Sequence, residues 1–377
     1  MNSKLLIFVD AALSIFVIFI AGVFRFRTKL LNLLQIKSDS DNVLIIKFLG
    51  AGNFIAMSDA LKFDGCTIVS VDGNQSALKE FVPSAELILI NEKSIDKLLL
   101  TVASTLMKLI FSSYGKVINL EAESSFAKLI AAVPYTNELT GLSNKYKSIS
   151  DWFFYDYHLV SPSNLNRDRI LKILLRAEQP QVNQVNELTL KVLNEVNSQN
   201  GFVVRKDIAF VSPTCSLTDG NRRLTIQTWG WVIQLLGEKF KSVVIAFPSK
   251  QDSQYKDFED LLAQLAYPNV AMVVESYKEF AARIKSCDLL VTIDSQALHI
   301  GQQLNKSIAC FYGPTSPHGV KLGDLTYAVS KELECSPCTH KYFSEPCRGS
   351  VDCMKFSQEQ VVSIFRNIDR SHSIDPN

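Results

Sequence analysis

The 377-residue sequence has almost no excess charge, with 39 Lys and Arg against 38 Asp and Glu, a formal net charge of +1. A chain without a field of one sign has nothing global with which to draw in a polyanion, so nucleic acid is not an expected partner. It also lacks low-complexity runs and short repeats. At 47% hydrophobic and 20% charged residues its composition is that of a folded protein. One ordinary core does not accommodate this length, and two domains of about 150 residues each are expected.

Missing too is a signal-peptide cleavage site. Leu5 to Phe24, LLIFVDAALSIFVIFIAGVF, is nearly unbroken in apolar character. No short small-residue site follows it, so it does not read as a leader that is removed. About 20 apolar residues span about 30 Å as a helix, the thickness of a bilayer core. Asp10 lies near one end, and Arg25, Arg27 and Lys29 follow directly. The expectation is a transmembrane anchor over 5–24, preferred to a buried globular helix. Because Lys4 and the amino terminus are outnumbered by Arg25, Arg27, Lys29 and Lys37, the remainder is placed on the cytoplasmic side of the inner membrane as a single-pass protein.

Beyond a polar spacer, the chain alternates apolar runs with helical spacing. NVLIIKF, CTIVSVD, ELILIN and KVINLEA read as buried strands, and DIAFVSPT, SVVIAFPS, NVAMVVE, DLLVTID and SIACFYG form a second series. Alternation of this kind predicts α/β architecture with two doubly wound, parallel-sheet domains. The expected bounds are 42–200 for the first, 201–360 for the second, and 361–377 for a C-terminal helix and tail. The pattern loosens between about Lys145 and Gly201, which holds DWFFYDYHL.

Two junctions carry chemistry. At Asp288 to His318 the strand DLLVTI stops at Asp294 and Ser295, and QALHIGQQL opens a helix whose free amides and dipole suit a diphosphate. The next strand leaves through GPTSP. Adjacent strand ends with polar exits form the carboxyl edge of an open sheet, where ligands bind. Arg222 and Arg223 are candidates for a phosphate, since a guanidinium donates two parallel hydrogen bonds; solvated surface residues are the other reading. In the first domain NVLIIKFLGAGNF runs a strand into a loop with Lys47, Gly52 and Asn53 at its exit. Lys47 is read as an acceptor contact or as a snorkelling strand-end lysine.

Cysteine is sparse apart from one cluster. Cys66, Cys215, Cys287 and Cys310 are scattered in apolar contexts and read as small core residues. Cys335, Cys338, Cys347 and Cys353 follow C-x2-C-x8-C-x5-C. Reduced thiols in this arrangement serve a structural zinc or pack the tail, and no His and acid arrangement beside them suggests catalysis.

These segments resemble glycosyltransferase family 9, the bacterial heptosyltransferases. Asp294, Ser295, Gln296, His299, Gly313, Pro314 and Thr315 stand where that family has an Asp-Thr-Gly turn, a His and a Gly-Pro-Thr turn. Gln296 replaces the Gly. NVLIIKFLGAGNFIAMSDAL is similar to its opening strand and loop, and VINLEAESSFAKLIAAVPYTNELTGL to a segment closing on a Gly, here Gly141. NRRLTIQTWGWVIQLL carries Leu224 and Thr225 in place of a Trp-Pro pair. YKEFAARIKSCDLLVTID and the cysteine tail complete the likeness.

The resemblance implies a GT-B fold, two Rossmann-like domains facing a cleft, and inverting transfer of a heptose or related sugar without a catalytic metal. The donor would be a nucleotide sugar held by Asp294, Ser295, Gln296, His299, Gly313, Thr315 and one of the two arginines. The acceptor would be a lipopolysaccharide or lipid-linked glycan near Lys47, Gly52 and Asn53. Asn53 stands at the position of the family's catalytic Asp, and an amide takes no proton at neutral pH. Asp59, Glu121 or Glu123 would then supply the base. The other readings are a non-catalytic GT-B module that binds nucleotide sugar or glycan in an envelope complex, and a GT-B sugar-nucleotide epimerase.

Overall fold

The computed structural model describes residues 2–48, 50–122, 124–143, 151, 154–160, 167–175, 205–215, 217–317, 325–331, 333–338, 347 and 349–369. The chain divides into two compact units, Met1–Pro162 with Arg167–Pro180, and Ser163–Asn166 with Gln181–Asn377.

The first unit holds strands β1 (Val43–Ile46), β2 (Cys66–Val71), β3 (Glu86–Ile90), β4 (Ser113–Asn119), β5 (Tyr135–Ser143) and β6 (Tyr157–Val160). Its helices are α1 (Asn2–Leu33), α2 (Ala51–Ala56), α3 (Gln75–Phe81), α4 (Ile95–Ile110), α5 (Ser125–Ala132) and α6 (Arg167–Leu174). The second unit holds β7 (Ile208–Ser212), β8 (Ser242–Phe247), β9 (Val270–Val274), β10 (Leu289–Ile293), β11 (Ser307–Tyr312) and β12 (Thr326–Ser330). Helices α7 (Ile226–Lys239), α8 (Tyr255–Leu265), α9 (Tyr277–Ser286), α10 (Gln296–Gln303) and α11 (Gln358–Asp369) accompany them.

Among the described residues the first sheet runs β3-β2-β1-β4-β5-β6 and the second β12-β11-β10-β7-β8-β9. Each strand pair is parallel. Helices on both faces make such strands apolar throughout rather than alternating, and β2 and β10 are buried at every position. Both units are therefore the doubly wound sheets that the alternating pattern predicts. The order reverses between β1 and β4 in one sheet and between β7 and β10 in the other. Strand ends diverge there and leave a crevice at the carboxyl edge, the place where such folds take ligands. Phe154 and Tyr155, from the loosely patterned DWFFYDYHL, are buried in the core of the first unit, and β6 adds its outer strand.

The expected transmembrane anchor is corrected by the packing of α1. Among the described residues no helix is long and apolar enough to cross a membrane. Val17, Ala21, Arg25 and Thr28 form one buried stripe on α1, and the helix lies along α5. Arg25 is internal, donating to the carbonyl of Phe154 at 2.6 Å and pairing with Asp156. Arg27 reaches the Val133 carbonyl at 2.8 Å. A helix that buries one stripe with a paired guanidinium against its own domain is not surrounded by lipid. An apolar run read without its neighbours does not carry that information.

Candidate functional site

The carboxyl edge of the first sheet is built at its reversal. Lys47 leaves β1 and Glu121 leaves β4, and Lys47 Nζ lies 2.6 Å from Glu121 Oε1. The Phe48 amide donates to the same oxygen at 2.9 Å. Lys47 is thus a buried, paired residue and not a snorkelling one. Burial lowers its pKa, opposed by the Glu121 charge. Glu121 is held from the other side: its amide donates to Asn119 Oδ1 at 2.9 Å, and Asn119 Nδ2 donates to the Tyr155 hydroxyl at 2.9 Å. A Cβ on Gly141 would stand 2.5 Å from the Tyr155 ring. The closing glycine is there because Tyr155 occupies its side-chain space.

Gly50 precedes α2 with φ at +85°, a region that favours glycine. Its carbonyl accepts from the Asn53 amide at 2.9 Å. Gly52 and Asn53 sit in the first turn of α2, half-buried. Asp59 is exposed and pairs with Lys62 at 2.8 Å. Glu123 lies outside the described residues.

The second edge is built on β7, β10 and β11. Thr292 Oγ1 donates to the Ser212 carbonyl at 3.0 Å, tying the exits of β10 and β7. Ser295 is the N-cap of α10, with extended backbone, yet its side chain makes no capping bond. Its hydroxyl instead lies 3.2 Å from Thr292 Oγ1. In α5, α7 and α9 the corresponding Ser or Thr does cap. At α10, as at Ser94 before α4, the cap side chain does not take up the first-turn amides. Gln296 opens the helix, and His299 is buried one turn in.

The structure separates the two arginines. Arg222 Nη1 lies 3.3 Å from the Asp294 carbonyl and 3.6 Å from its Oδ2, which sets a guanidinium at the start of α10. Arg223 makes a two-pronged bond to Asp252 at 2.6 and 3.0 Å with both side chains nearly buried. The hydrogen bond to Asp252 raises the Arg223 pKa. Arg223 is therefore committed to the scaffold. Leu224 enters the core, and Thr225 caps α7 by accepting from the Thr228 amide at 3.3 Å, so a helix start replaces the family's Trp-Pro pair.

Gly313, Pro314 and Thr315 leave β11 beneath the cysteine tail. A Cβ on Gly313 would meet Met354 Sδ at 2.4 Å and Cys353 Sγ at 2.9 Å; this glycine serves close approach rather than an unusual backbone angle. Ser336 Oγ donates to the Gly313 carbonyl at 2.6 Å, and the Cys338 amide to the Pro314 carbonyl at 2.9 Å. Thr315 Oγ1 is buried without a hydrogen-bond partner among the described residues.

Cys335, Cys338, Cys347 and Cys353 line one cavity of about 60 Å³ with Asn221, Pro314 and Leu333. Burial raises the Cys353 pKa to about 11, with the other three thiols adding to the effect. The four-sulfur donor set suits zinc or iron, although among the described residues no three ligands stand placed to hold an ion. Cys66, Cys287 and Cys310 are buried as expected, while Cys215 is half-buried.

Residues 107–348 match the profile of glycosyltransferase family 9 (heptosyltransferase). Comparison with curated protein sequences finds no match. Among solved structures, the chain is similar to a glycosyl transferase family 9 protein from Veillonella parvula DSM 2008, at 17% identity and TM-score 0.60 over 88% of this chain and 97% of that one. It is similar to E. coli heptosyltransferase WaaC with ADP-2-deoxy-2-fluoro heptose at 15% identity and TM-score 0.55, over 76% of this chain and 92% of that one. The iron-containing dodecameric glycosyltransferase TibC from enterotoxigenic E. coli H10407 follows at 10% and 0.52, over 89% and 78%. At these identities the likeness is one of fold. The profile covers more than half of the sequence, including the Asp294 turn and three of the four clustered cysteines, and the chain belongs to glycosyltransferase family 9.

Proposed function

We propose that the protein is an inverting heptosyltransferase-type enzyme. It moves a heptose or related sugar from a nucleotide-sugar donor to a lipopolysaccharide or lipid-linked glycan acceptor at the cytoplasmic face of the inner membrane. The observation that carries this reading is the uncapped start of α10, with Arg222 beside it and Thr315 Oγ1 unpartnered on the neighbouring turn. Amides and a guanidinium aimed at one spot stabilise the charge that grows on a departing diphosphate. They do so without a catalytic metal. The complex of WaaC with an ADP-heptose analogue supports a nucleotide-activated heptose as the donor class.

In inverting transfer the acceptor hydroxyl attacks the anomeric carbon, its proton passes to a base, and the nucleotide diphosphate departs. Asn53 orients the acceptor by hydrogen bonding. Glu121, at the reversal of the first sheet, takes the proton. Lys47 neutralises Glu121 before the acceptor arrives and offers a cation to an acidic acceptor. Glu121→Gln is then expected to lower turnover by about 10²- to 10⁴-fold while donor affinity stays within a factor of two or so. Equal turnover in wild type and Glu121→Gln would remove Glu121 from this role.

The alternative reading is a donor-binding module without turnover, supported by Asn53 at the catalytic Asp position and by the two hydrogen bonds that occupy Glu121 Oε1. Nucleotide release from ADP-heptose, with acceptor present, discriminates: the module binds without release, and Asn53→Asp restores release. The four tail thiols are a candidate structural zinc site holding the tail over the Gly313 turn. One protein of this fold contains iron, so both metals are candidates.

A further inference from the structure

The segment that carries the first two clustered cysteines holds the exit of β11 from one side. Ser336 Oγ donates to the Gly313 carbonyl at 2.6 Å, and the Cys338 amide donates to the Pro314 carbonyl at 2.9 Å. Two consecutive carbonyls of the Gly-Pro-Thr turn are thus engaged by one short stretch of chain. That stretch is itself folded back: the Ser336 amide donates to the Leu333 carbonyl at 2.9 Å, which closes a tight turn and presents the Ser336 hydroxyl. Met354 and Cys353 occupy the space that a side chain on Gly313 would take. Proline has no N–H, so position 314 cannot brace the turn with an amide of its own. The donors come from the tail instead.

These bonds have a directional consequence. The Pro314–Thr315 peptide is trans, and in a trans peptide the carbonyl and the following N–H point to opposite sides. With the Pro314 carbonyl turned to the Cys338 amide, the Thr315 N–H faces away from that amide. Thr315 also carries the buried hydroxyl that has no hydrogen-bond partner among the described residues. We propose that Ser336 is a positioning residue for donor binding. Together with the Cys338 amide it fixes the peptide planes of residues 313–315, so that the amide and hydroxyl of Thr315 are presented to the donor diphosphate. The proposal rests on the donor reading given above and adds a residue that acts through the turn and not on the substrate. A turn set in advance removes its ordering cost from the binding step. Loss of the Ser336 bond therefore shows as weaker donor affinity and not as altered chemistry, whereas a bond that only held the tail in place would leave donor affinity unmoved in a folded variant.

Calorimetry of the full chain with ADP, and with inorganic pyrophosphate as a probe without the nucleoside, tests it. Ser336→Ala is expected to weaken both by about two- to tenfold, the worth of one hydrogen bond. Ser336→Thr keeps the hydroxyl and should recover the affinity. In steady-state transfer the donor KM of Ser336→Ala should rise while kcat and the acceptor KM stay near wild type. Wild-type affinity in a folded Ser336→Ala variant would overturn the proposal, as would a loss that Ser336→Thr does not recover. If Ser336→Ala does not fold, the wild type still decides: coupling between ligand and turn is reciprocal, so saturating ADP should slow hydrogen exchange at the Cys338 amide, and unchanged exchange would overturn the proposal. A wild type that binds neither ADP nor pyrophosphate would remove the donor reading and this role together, whereas normal wild-type binding with an indifferent Ser336→Ala removes the role alone.

Discussion

Lys47 Nζ and Glu121 Oε1 lie 2.6 Å apart where β1 and β4 end, at the point where the first sheet reverses its order. The side chains are only 10% and 14% exposed. A buried cation that loses its partner is costly, so Glu121→Ala should lower stability by about 3–5 kcal/mol. Lys47→Met in the same chain should recover most of that loss. Urea unfolding of the two single variants and the double variant checks both.

Arg222 and Arg223 are adjacent in sequence and are expected to fail differently. Arg222→Ala should weaken ADP binding by about tenfold to a hundredfold in calorimetry with little change in thermal midpoint. Arg223→Ala leaves Asp252 buried without its partner and should cost about 3 kcal/mol or more of stability. A large affinity loss confined to Arg223→Ala would reverse these roles.

The Arg223–Asp252 pair also predicts a pH dependence. Burial works to raise the Asp252 pKa, but the bonds from Arg223 and the Gln254 amide outweigh it and leave it below the ordinary value of 3.8. The folded state then holds the proton less tightly than the unfolded state. The stabilisation is fully present above about pH 4 and is lost as pH falls through the folded pKa. Asp252→Asn should lack this part of the acid decline when unfolding midpoints are compared between pH 5 and pH 2.

Gly313→Ala places a methyl against Met354 and Cys353. Overpacking of this kind costs about 1–3 kcal/mol, and displacement of the turn should weaken ADP binding as well. Adding Met354→Ala should restore part of the affinity.

If the tail thiols hold a metal, elemental analysis of protein prepared under reducing conditions should find about one zinc or iron per chain. A chelator should lower the thermal midpoint, and Cys353→Ser should abolish that response. No metal in such preparations would leave four packed thiols beneath the Gly313 turn.

Tyr155→Phe removes the hydroxyl that accepts from Asn119. The loss should be about 1 kcal/mol in stability, with turnover falling more than donor affinity because Asn119 positions Glu121.

Much of the architecture is a local property of the chain. The continuous apolar runs of β1, β2, β7, β8, β10 and β11 are legible because a strand buried on both faces needs nothing else, and the Asp294–Gln296 junction is legible because a strand that stops before a helical period must turn there. The remaining decisions depend on what lies across space. Arg222 and Arg223 are equivalent in sequence until Asp252 meets one of them and Asp294 the other. Lys47 reads as a strand-end lysine until β4 brings Glu121 beside it. Gly313 and Gly141 look like turn residues until Met354 and Tyr155 fill the space a Cβ would take. The apolar stretch of α1 records only that it avoids water; packing along α5, with Arg25 turned inward to Asp156, decides which side is buried in protein and which remains exposed. Hydrophobic periodicity is written in neighbours along the chain, whereas pairing, close approach and the partner of an apolar face arise only when distant segments converge.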